Sequence, residues 1–310
     1  MKKINLGSSD LQVSSIAAGC MRINKLEAAE IDAWINTAVE NGIDFFDHAD
    51  IYGRKDGGIG FCEKLFGDAL VRHPALRDRI FIQSKCGIRP GFYDFSAEHI
   101  LKSVDDSLAR LRCGYLDVLV LHRPDTLVEP EEVAAAFDQL HQNGKVRHFG
   151  VSNHGRSQIE LLQKYTSHKL IVNQLQFGPA HTPIIDSGLH VNIHGGAGID
   201  RDGGVLEFCR MNDITIQTWS PLIYGAFDGI FLDNPKYAEL NAALERIGGK
   251  YGLDPLGTVA AWVLRHPARM QLIFGSTQPK RIHAACRGAE IRLLREEWYE
   301  IYRTAGNNLP

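Results

Sequence analysis

Hydrophobic residues follow two alternating rhythms along the chain. Short apolar runs of β type occupy Ser15–Cys20, Ile43–Phe46, Arg79–Lys85, Leu116–His122, Val146–Ser152, Leu170–Leu175, Asp213–Trp219 and Gln271–Ser276. Between them, apolar positions fall three and four apart, the spacing of one helix face. Ile31, Trp34, Ile35, Ala38 and Val39 make one such stripe, and Val133, Ala136, Phe137 and Leu140 another. Ile100, Val104, Leu108 and Leu111 continue the pattern, as do Leu161, Leu162 and Tyr165. Strands alternating with helices predict βα units around a parallel sheet. Eight such units are the count of an α/β (β/α)8 TIM barrel, and about 250 residues plus insertions accounts for the length as one domain over residues 1–310.

An open doubly wound sheet is the other arrangement of such units. When it binds dinucleotides it carries G-x-G-x-x-G after its first strand. Here the first run ends Gly19-Cys20-Met21-Arg22, and Gly57-Gly58-Ile59-Gly60 does not complete the pattern, so the closed barrel fits better. Two stretches break the rhythm. Residues 178–204, after the sixth run, form a long connection with glycines at 188, 195, 196 and 198, and such connections are more often functional than accidental. After the eighth run, Arg292–Tyr302 predicts an extra C-terminal helix.

Composition narrows the partners. Hydrophobic residues at 44% and charged residues at 23% are globular values, which excludes a disordered chain or a disulfide scaffold. Lys+Arg 34 against Asp+Glu 37 gives a net charge of −3 with no basic block, so nucleic acid and anionic membranes lack their usual footprint. A small molecule is the expected partner. The six cysteines are scattered without a C-x-x-C pair and read as reduced thiols. Met1-Lys2-Lys3 is not followed by an apolar segment, and no run approaches ~18 apolar residues, so a cytoplasmic location is expected. Composition does not fix the oligomeric state.

In a barrel the reacting groups sit at the C-terminal ends of the strands. The polar residues closing these runs are Asp47, Lys85, His122, Ser152 with Asn153, Gln174, Trp219 with Ser220, and Ser276. Singly, each reads as a solvated strand-end residue or a satisfied structural histidine. Their conjunction on one rim points to a site. Tyr52 lies five residues past Asp47. A phenol with a pKa near ~10 is a poor proton donor at neutral pH, and a nearby ammonium is expected to lower it. Lys85 can supply that ammonium, Asp47 can orient it, and His122 can hydrogen-bond a substrate oxygen. Such a set stabilises and protonates a developing alkoxide, as carbonyl reduction requires.

The chain resembles the aldo-keto reductases, NAD(P)H-dependent reductases built on a (β/α)8 barrel. The resemblance rests on Phe46-Asp47-His48-Ala49-Asp50-Ile51-Tyr52-Gly53, Gln83-Ser84-Lys85, Leu121-His122-Arg123-Pro124-Asp125 and Gly144-Lys145-Val146-Arg147-His148-Phe149-Gly150-Val151-Ser152-Asn153. It continues through Asn173-Gln174, Trp219-Ser220-Pro221-Leu222 and Gly275-Ser276-Thr277-Gln278-Pro279-Lys280-Arg281-Ile282, nearly the whole chain. It implies that Asp47, Tyr52, Lys85 and His122 are the family's catalytic tetrad. Ser152, Asn153 and Gln174 match positions that hydrogen-bond the nicotinamide carboxamide. Trp219 matches the aromatic that stacks on the nicotinamide, where many members have Tyr. Ser220 and Leu222 fall in the pyrophosphate loop, and Ser276-Thr277 would open the last barrel helix, whose free N–H groups favour phosphate. Arg281 matches the partner of the adenosine 2′-phosphate, while Gly275 stands where some relatives carry Lys; NADP(H) is therefore the expected cofactor.

Other signals are weaker. His190 and His194 have a metal-type spacing only if helical, and the surrounding glycines argue against a helix, so no metal is expected. Asp200-Arg201-Asp202-Gly203 reads as a turn rather than a calcium loop. Met21, Arg22, Arg54, Phe92, Tyr93 and Tyr224 are expected on rim loops around a substrate pocket. The leading reading is an NADPH-dependent carbonyl reductase. A nicotinamide-sensing regulatory subunit with little turnover is the alternative, and a metal-dependent hydrolase lacks the ligand clusters it would need.

Overall fold

The computed structural model describes residues 1–225 and 227–309. Eight parallel strands close into a barrel: β1 (Ile16–Gly19), β2 (Phe45–Asp47), β3 (Phe81–Cys86), β4 (Leu116–Leu121), β5 (Val146–Ser152), β6 (Leu170–Gln176), β7 (Thr215–Trp219) and β8 (Met270–Phe274). Each strand pairs with its neighbour in the chain, and β8 pairs back onto β1. All eight expected runs are barrel strands, with ends moved by a residue or two.

The alternation of side chains along a strand splits the core into two. Phe45 points into the barrel with Val118, Val120, Val172 and Ile273. Phe46, the next residue, points out and packs edge-on against Trp34 at 5.8 Å and against Phe66 at 5.2 Å. Those partners lie on α1 (Ala28–Glu40) and α2 (Phe61–Arg72), and the stripes read from the sequence supply the rest of this outer layer through α3 (Ala97–Leu111) and α4 (Pro130–Gln142); in α5 (Arg156–Tyr165) the inward residues are Ile159 and Leu162, whereas Leu161 and Tyr165 of the expected stripe are exposed. A strand such as Leu116–Leu121, buried at every position, is what a parallel sheet covered on both faces requires.

The floor of the barrel is closed by a hairpin that the sequence reading missed. Lys3–Asn5 pairs antiparallel with Gln12–Ser14, and Leu6, Leu11 and Val13 plug the interior. Gly7 in its turn has φ +58°, and a Cβ there would stand 2.2 Å from the carbonyl oxygen of Ile171. Only glycine fits.

The connection over residues 178–204 is partly helical. It holds α6 (Pro183–Leu189) and a single 3-10 turn at Gly196–Gly198 before α7 (Val205–Met211). Two helices, α8 (Ala238–Gly249) and α9 (Pro255–Arg265), follow β7, and α10 (Pro279–Ala289) follows β8. The expected C-terminal helix is α11 (Arg295–Thr304), held by Trp298 stacked on Trp262 of α9 with ring centroids 4.9 Å apart. No helix among the described residues is long and apolar enough to cross a membrane.

Candidate active site

The loop after β2 is tied to β3 in a way that sets the site. His48 N donates to Gln83 O at 2.8 Å and Asp50 N donates to Lys85 O at 3.0 Å, so the chain tracks β3 beyond the end of β2. Tyr52 N then donates to Ala49 O at 3.1 Å, a turn that swings the phenol back over the barrel. Gly53 completes it at φ +82°, where a Cβ would come within 2.9 Å of Phe61 Cβ.

Lys85 is fully buried, and its ammonium donates to Asp47 Oδ2 at 2.8 Å, to the His48 carbonyl at 2.6 Å and to the Tyr52 hydroxyl at 3.2 Å. An ammonium has three donors, and all three are used. His122 stands at the end of β4 with its ring edge-on to that of Tyr52, centroids 6.1 Å apart, and its buried Nδ1 has no partner among the described residues. The four residues drawn from three strand ends and a loop therefore meet at one place.

Their protonation follows from burial and from one another. Burial pulls the Lys85 ammonium down, but Asp47 and then Tyr52 outweigh it and hold its pKa above the ordinary value. Burial raises the Tyr52 phenol, Lys85 opposes it, and Asp47 adds to the rise. The ammonium lowers this pKa as expected, but desolvation outweighs the single charge and the net direction is upward. Tyr52 is thus a protonated phenol with an ammonium beside it, able to give up its proton and have the resulting anion stabilised. Burial, then Lys85 and Arg123, push His122 well below its ordinary value, so its imidazole is neutral.

Beneath these groups lies a layer of amides inside the barrel. Asp47 Oδ1 accepts from Gln83 Nε2 at 2.6 Å and from Gln174 Nε2 at 3.1 Å. The same two nitrogens donate to Gln217 Oε1 at 2.8 and 3.1 Å. Gln217 Nε2 donates to Gln271 Oε1 at 2.9 Å, and Gln271 Nε2 to the carbonyl of Ser14 at 2.8 Å. The sequence reading gave no role to Gln83, Gln217 or Gln271. Gln83 stands two residues before Lys85 and Gln217 two before Trp219, so strand alternation puts each on the inward face of a site residue; that was the available signal.

A cavity of about 320 Å³ opens above the tetrad. Asp47, Tyr52 and His122 reach its wall, with Ser152, Asn153, Gln174, Trp219, Ser220, Leu222, Gly275, Ser276 and Arg281. Lys85 sits behind Tyr52, and Thr277 does not line the cavity. Asn153 and Ser220 hold left-handed backbones, φ 59° and 51°, where their strands turn into loops. Asn153 Nδ2 donates to Ser152 Oγ at 2.7 Å, and its Oδ1 accepts from the Trp219 indole at 3.2 Å. Phe227, a residue with no expected role, stacks on Trp219 at 5.4 Å. A ligand ring stacking on the indole takes the opposite face or displaces Phe227. A Cβ on Gly275 would meet nothing within 4 Å, so glycine leaves that wall open. The last barrel helix starts at Pro279, not at Ser276-Thr277 as expected, because proline takes the first helical position and Ser276 Oγ instead accepts from Gln278 N at 3.2 Å.

Of the expected rim residues, Met21 and Arg22 line this cavity, whereas Arg54, Phe92, Tyr93 and Tyr224 do not; Ile51, Ile88, Arg123 and Ile230 are among its other lining residues. A second cavity of about 700 Å³ adjoins the first through Arg123, Asn153, Trp219 and Phe227, and Pro183, Ile184, Arg201, Asp202 and Gly203 of the long connection form its far wall. His190 follows the end of α6 with Nδ1 at 2.9 Å from Asp186 O, and Asp200 Oδ1 accepts from the amides of Asp202 and Gly203 in a turn. Among the described residues no group of His, Cys, Asp and Glu is placed to hold a metal ion.

Sequence and structure comparisons agree with this architecture. The aldo/keto reductase family model matches residues 3–305. An uncharacterized oxidoreductase, YcsN, of Bacillus subtilis is 37% identical over the full length of both chains. A 6-dehydroglucose reductase of Novosphingobium aromaticivorans is 35% identical, with 98% of this chain and 96% of that protein covered. The crystal structure of the thermostable aldo-keto reductase Tm1743 in complex with the inhibitor epalrestat superposes with a TM-score of 0.77 at 23% identity, covering 98% of this chain and all of that one. The chain belongs to the aldo/keto reductase family. It is an NAD(P)H-dependent oxidoreductase.

Proposed function

We propose that this protein reduces the carbonyl of an aldehyde or ketone, with Tyr52 as proton donor, Lys85 and Asp47 as the groups that set its acidity, and His122 as the hydrogen-bonding partner of the carbonyl oxygen. The contact of the buried Lys85 ammonium with both Asp47 Oδ2 and the Tyr52 hydroxyl carries this reading. The phenol proton passes to the substrate oxygen as negative charge grows there, and the ammonium beside it stabilises the phenolate that remains. A neutral imidazole at His122 donates a hydrogen bond to the same oxygen without competing for the proton.

The cavity fits a nicotinamide cofactor, which supplies the hydride. The amide nitrogens of Asn153 and Gln174 are committed inside the protein, so their carbonyl oxygens are the atoms that would receive a carboxamide N–H. Ser152 braces Asn153, and Trp219 offers a π-face. Ser220, Leu222, Gly275, Ser276 and Arg281 would hold the phosphate-bearing part, with Thr277 beside them outside the wall. Arg281 lines the cavity and, among the described residues, makes no ion pair, which favours NADP(H) over NAD(H).

Two relatives at 35% and 33% identity are named 6-dehydroglucose reductases, and they make sugar-derived aldehydes the first substrates to test. Reductase-named relatives also favour turnover over a purely cofactor-sensing subunit. The experiment is NADPH oxidation with a panel of sugar aldehydes and simple carbonyls; tight NADPH binding without oxidation on any of them contradicts the reading.

A further inference from the structure

We propose that Gln217 is a positioning residue for proton transfer: its one carbonyl oxygen gathers the amides of Gln83 and Gln174 so that both donate to Asp47 Oδ1, leaving Oδ2 to hold Lys85. This rests on the assignment of Asp47, Lys85 and Tyr52 above. Gln83, Gln217 and Gln271 are fully buried and Gln174 nearly so. Gln83, Gln217 and Gln271 have no exposed surface on which water could stand in for a missing partner.

The direction of every bond in the chain is dictated from its two ends. A carboxylate oxygen only accepts, so Gln83 and Gln174 must turn their nitrogens toward Asp47. Each NH2 has a second hydrogen, and both second hydrogens point at Gln217 Oε1, whose two lone pairs they fill. Gln217 must then present its own nitrogen to Gln271, and Gln271 its nitrogen to the Ser14 carbonyl, an obligate acceptor in the floor of the barrel. No amide in the series can flip without placing two acceptors or two donors face to face. The carboxylate is thereby held in one rotamer by a scaffold anchored at the opposite end of the barrel, and its other oxygen stays 2.8 Å from the Lys85 ammonium.

An amide that merely fills space would tolerate an apolar replacement of the same length and reject a buried acid. A positioning amide requires the reverse. In Gln217→Met both amide protons lose their acceptor. In Gln217→Glu, burial beside Asp47 keeps the new carboxyl protonated, so its carbonyl accepts the same two protons and its hydroxyl donates to Gln271.

The test compares the two variants by single-turnover hydride transfer from prebound NADPH, by fluorescence titration of NADPH and by thermal unfolding. Gln217→Met is expected to slow the transfer about tenfold or more through misplacement of the Lys85–Tyr52 pair, and to weaken NADPH binding through Gln174. At about pH 6, Gln217→Glu is expected to stay within about threefold of the parent in both readouts. A parental rate in Gln217→Met, or equal losses in the two variants, overturns the proposal. If Gln217→Met does not fold, Gln83→Met, which removes one donor to Asp47, takes its place with the same expected slowing, and a parental rate there overturns it equally. Asp47→Asn is the reference. A slow Asp47→Asn beside a fast Gln217→Met defeats the amide chain alone, whereas a fast Asp47→Asn defeats the assignment of Asp47 and the proposal with it.

Discussion

The side-chain nitrogen of Gln174 lies 3.1 Å from Asp47 Oδ1, which ties a residue of the cavity wall to the acid that holds Lys85. On the proposed reading Gln174 has two duties, one toward the cofactor and one toward Asp47, whereas Asn153 bonds Ser152, Trp219 and the backbone carbonyl of His122 and no side chain of the proposed catalytic set. Gln174→Met is expected to weaken NADPH binding by the ~2- to 13-fold of one lost hydrogen bond, ~0.5–1.5 kcal/mol, and also to lower kcat. Asn153→Ala should weaken binding and spare kcat. Titration combined with single-turnover rates separates the two effects.

Arg281 provides the test of cofactor choice. A charge-assisted phosphate contact contributes ~1.5–3 kcal/mol, so Arg281→Ala should weaken NADPH about ten- to 150-fold and leave NADH nearly unchanged. Equal weakening of both cofactors removes the 2′-phosphate from Arg281.

Stability should fall in acid for an identifiable reason. Burial, then the Lys85 charge, pushes His48 down to about 3; burial holds His154 to about 4, and burial with Arg210 and Arg265 does the same for His266. Below pH 6.5 the unfolded chain takes up these protons and the folded one does not. The stability of the neutral state is therefore intact above that pH and lost as pH falls toward 4 and 3, by up to about 1.4 kcal/mol per unit for each histidine. Asp50, raised to about 7 by burial and Glu63, works in the opposite sense, favouring the folded state as pH falls from 7 toward 3.8. His48 packs on Phe66 at 4.6 Å, and neither of its ring nitrogens has a partner among the described residues. His48→Leu should therefore show a smaller drop in Tm between pH 7 and pH 5 than the parent, as thermal unfolding across that range will register.

The barrel was legible because short apolar runs such as Leu116–Leu121 recur eight times along the chain and several are separated by segments with a helix period. The meeting of Asp47, Tyr52, Lys85 and His122 at one rim was legible because they close those runs or stand in the loop just beyond. The floor hairpin was not: Lys3–Asn5 and Gln12–Ser14 are three residues each, too short for alternation to register, and their place depends on Gly7 meeting Ile171 from a distant strand. The direction of the Tyr52 shift was also out of reach, since it depends on how completely the loop encloses the phenol. The amide layer was half legible. Strand alternation marks Gln83 and Gln217 as inward, but only closure of the barrel reveals that β3 and β6 bring two amides to one carboxylate and β7 brings the acceptor of their remaining protons.

Lys85 and Asp47 should grade the loss of activity by their distance from the transferred proton. Lys85→Met leaves the phenolate without its cation, and its rate should approach that of a variant lacking the phenol. Asp47→Asn keeps the ammonium but loosens it, so a smaller loss is expected. The two rates measured under the same single-turnover conditions check the order.

Tyr52→Phe tests the central claim most directly, because it removes the hydroxyl that meets Lys85 and keeps the ring. Hydride transfer from prebound NADPH to an aldehyde should fall by the ~10²–10⁴-fold typical of a lost general acid, while fluorescence titration finds NADPH affinity unchanged. Reduction at the parental rate would contradict the mechanism, even with the barrel and the cofactor wall intact.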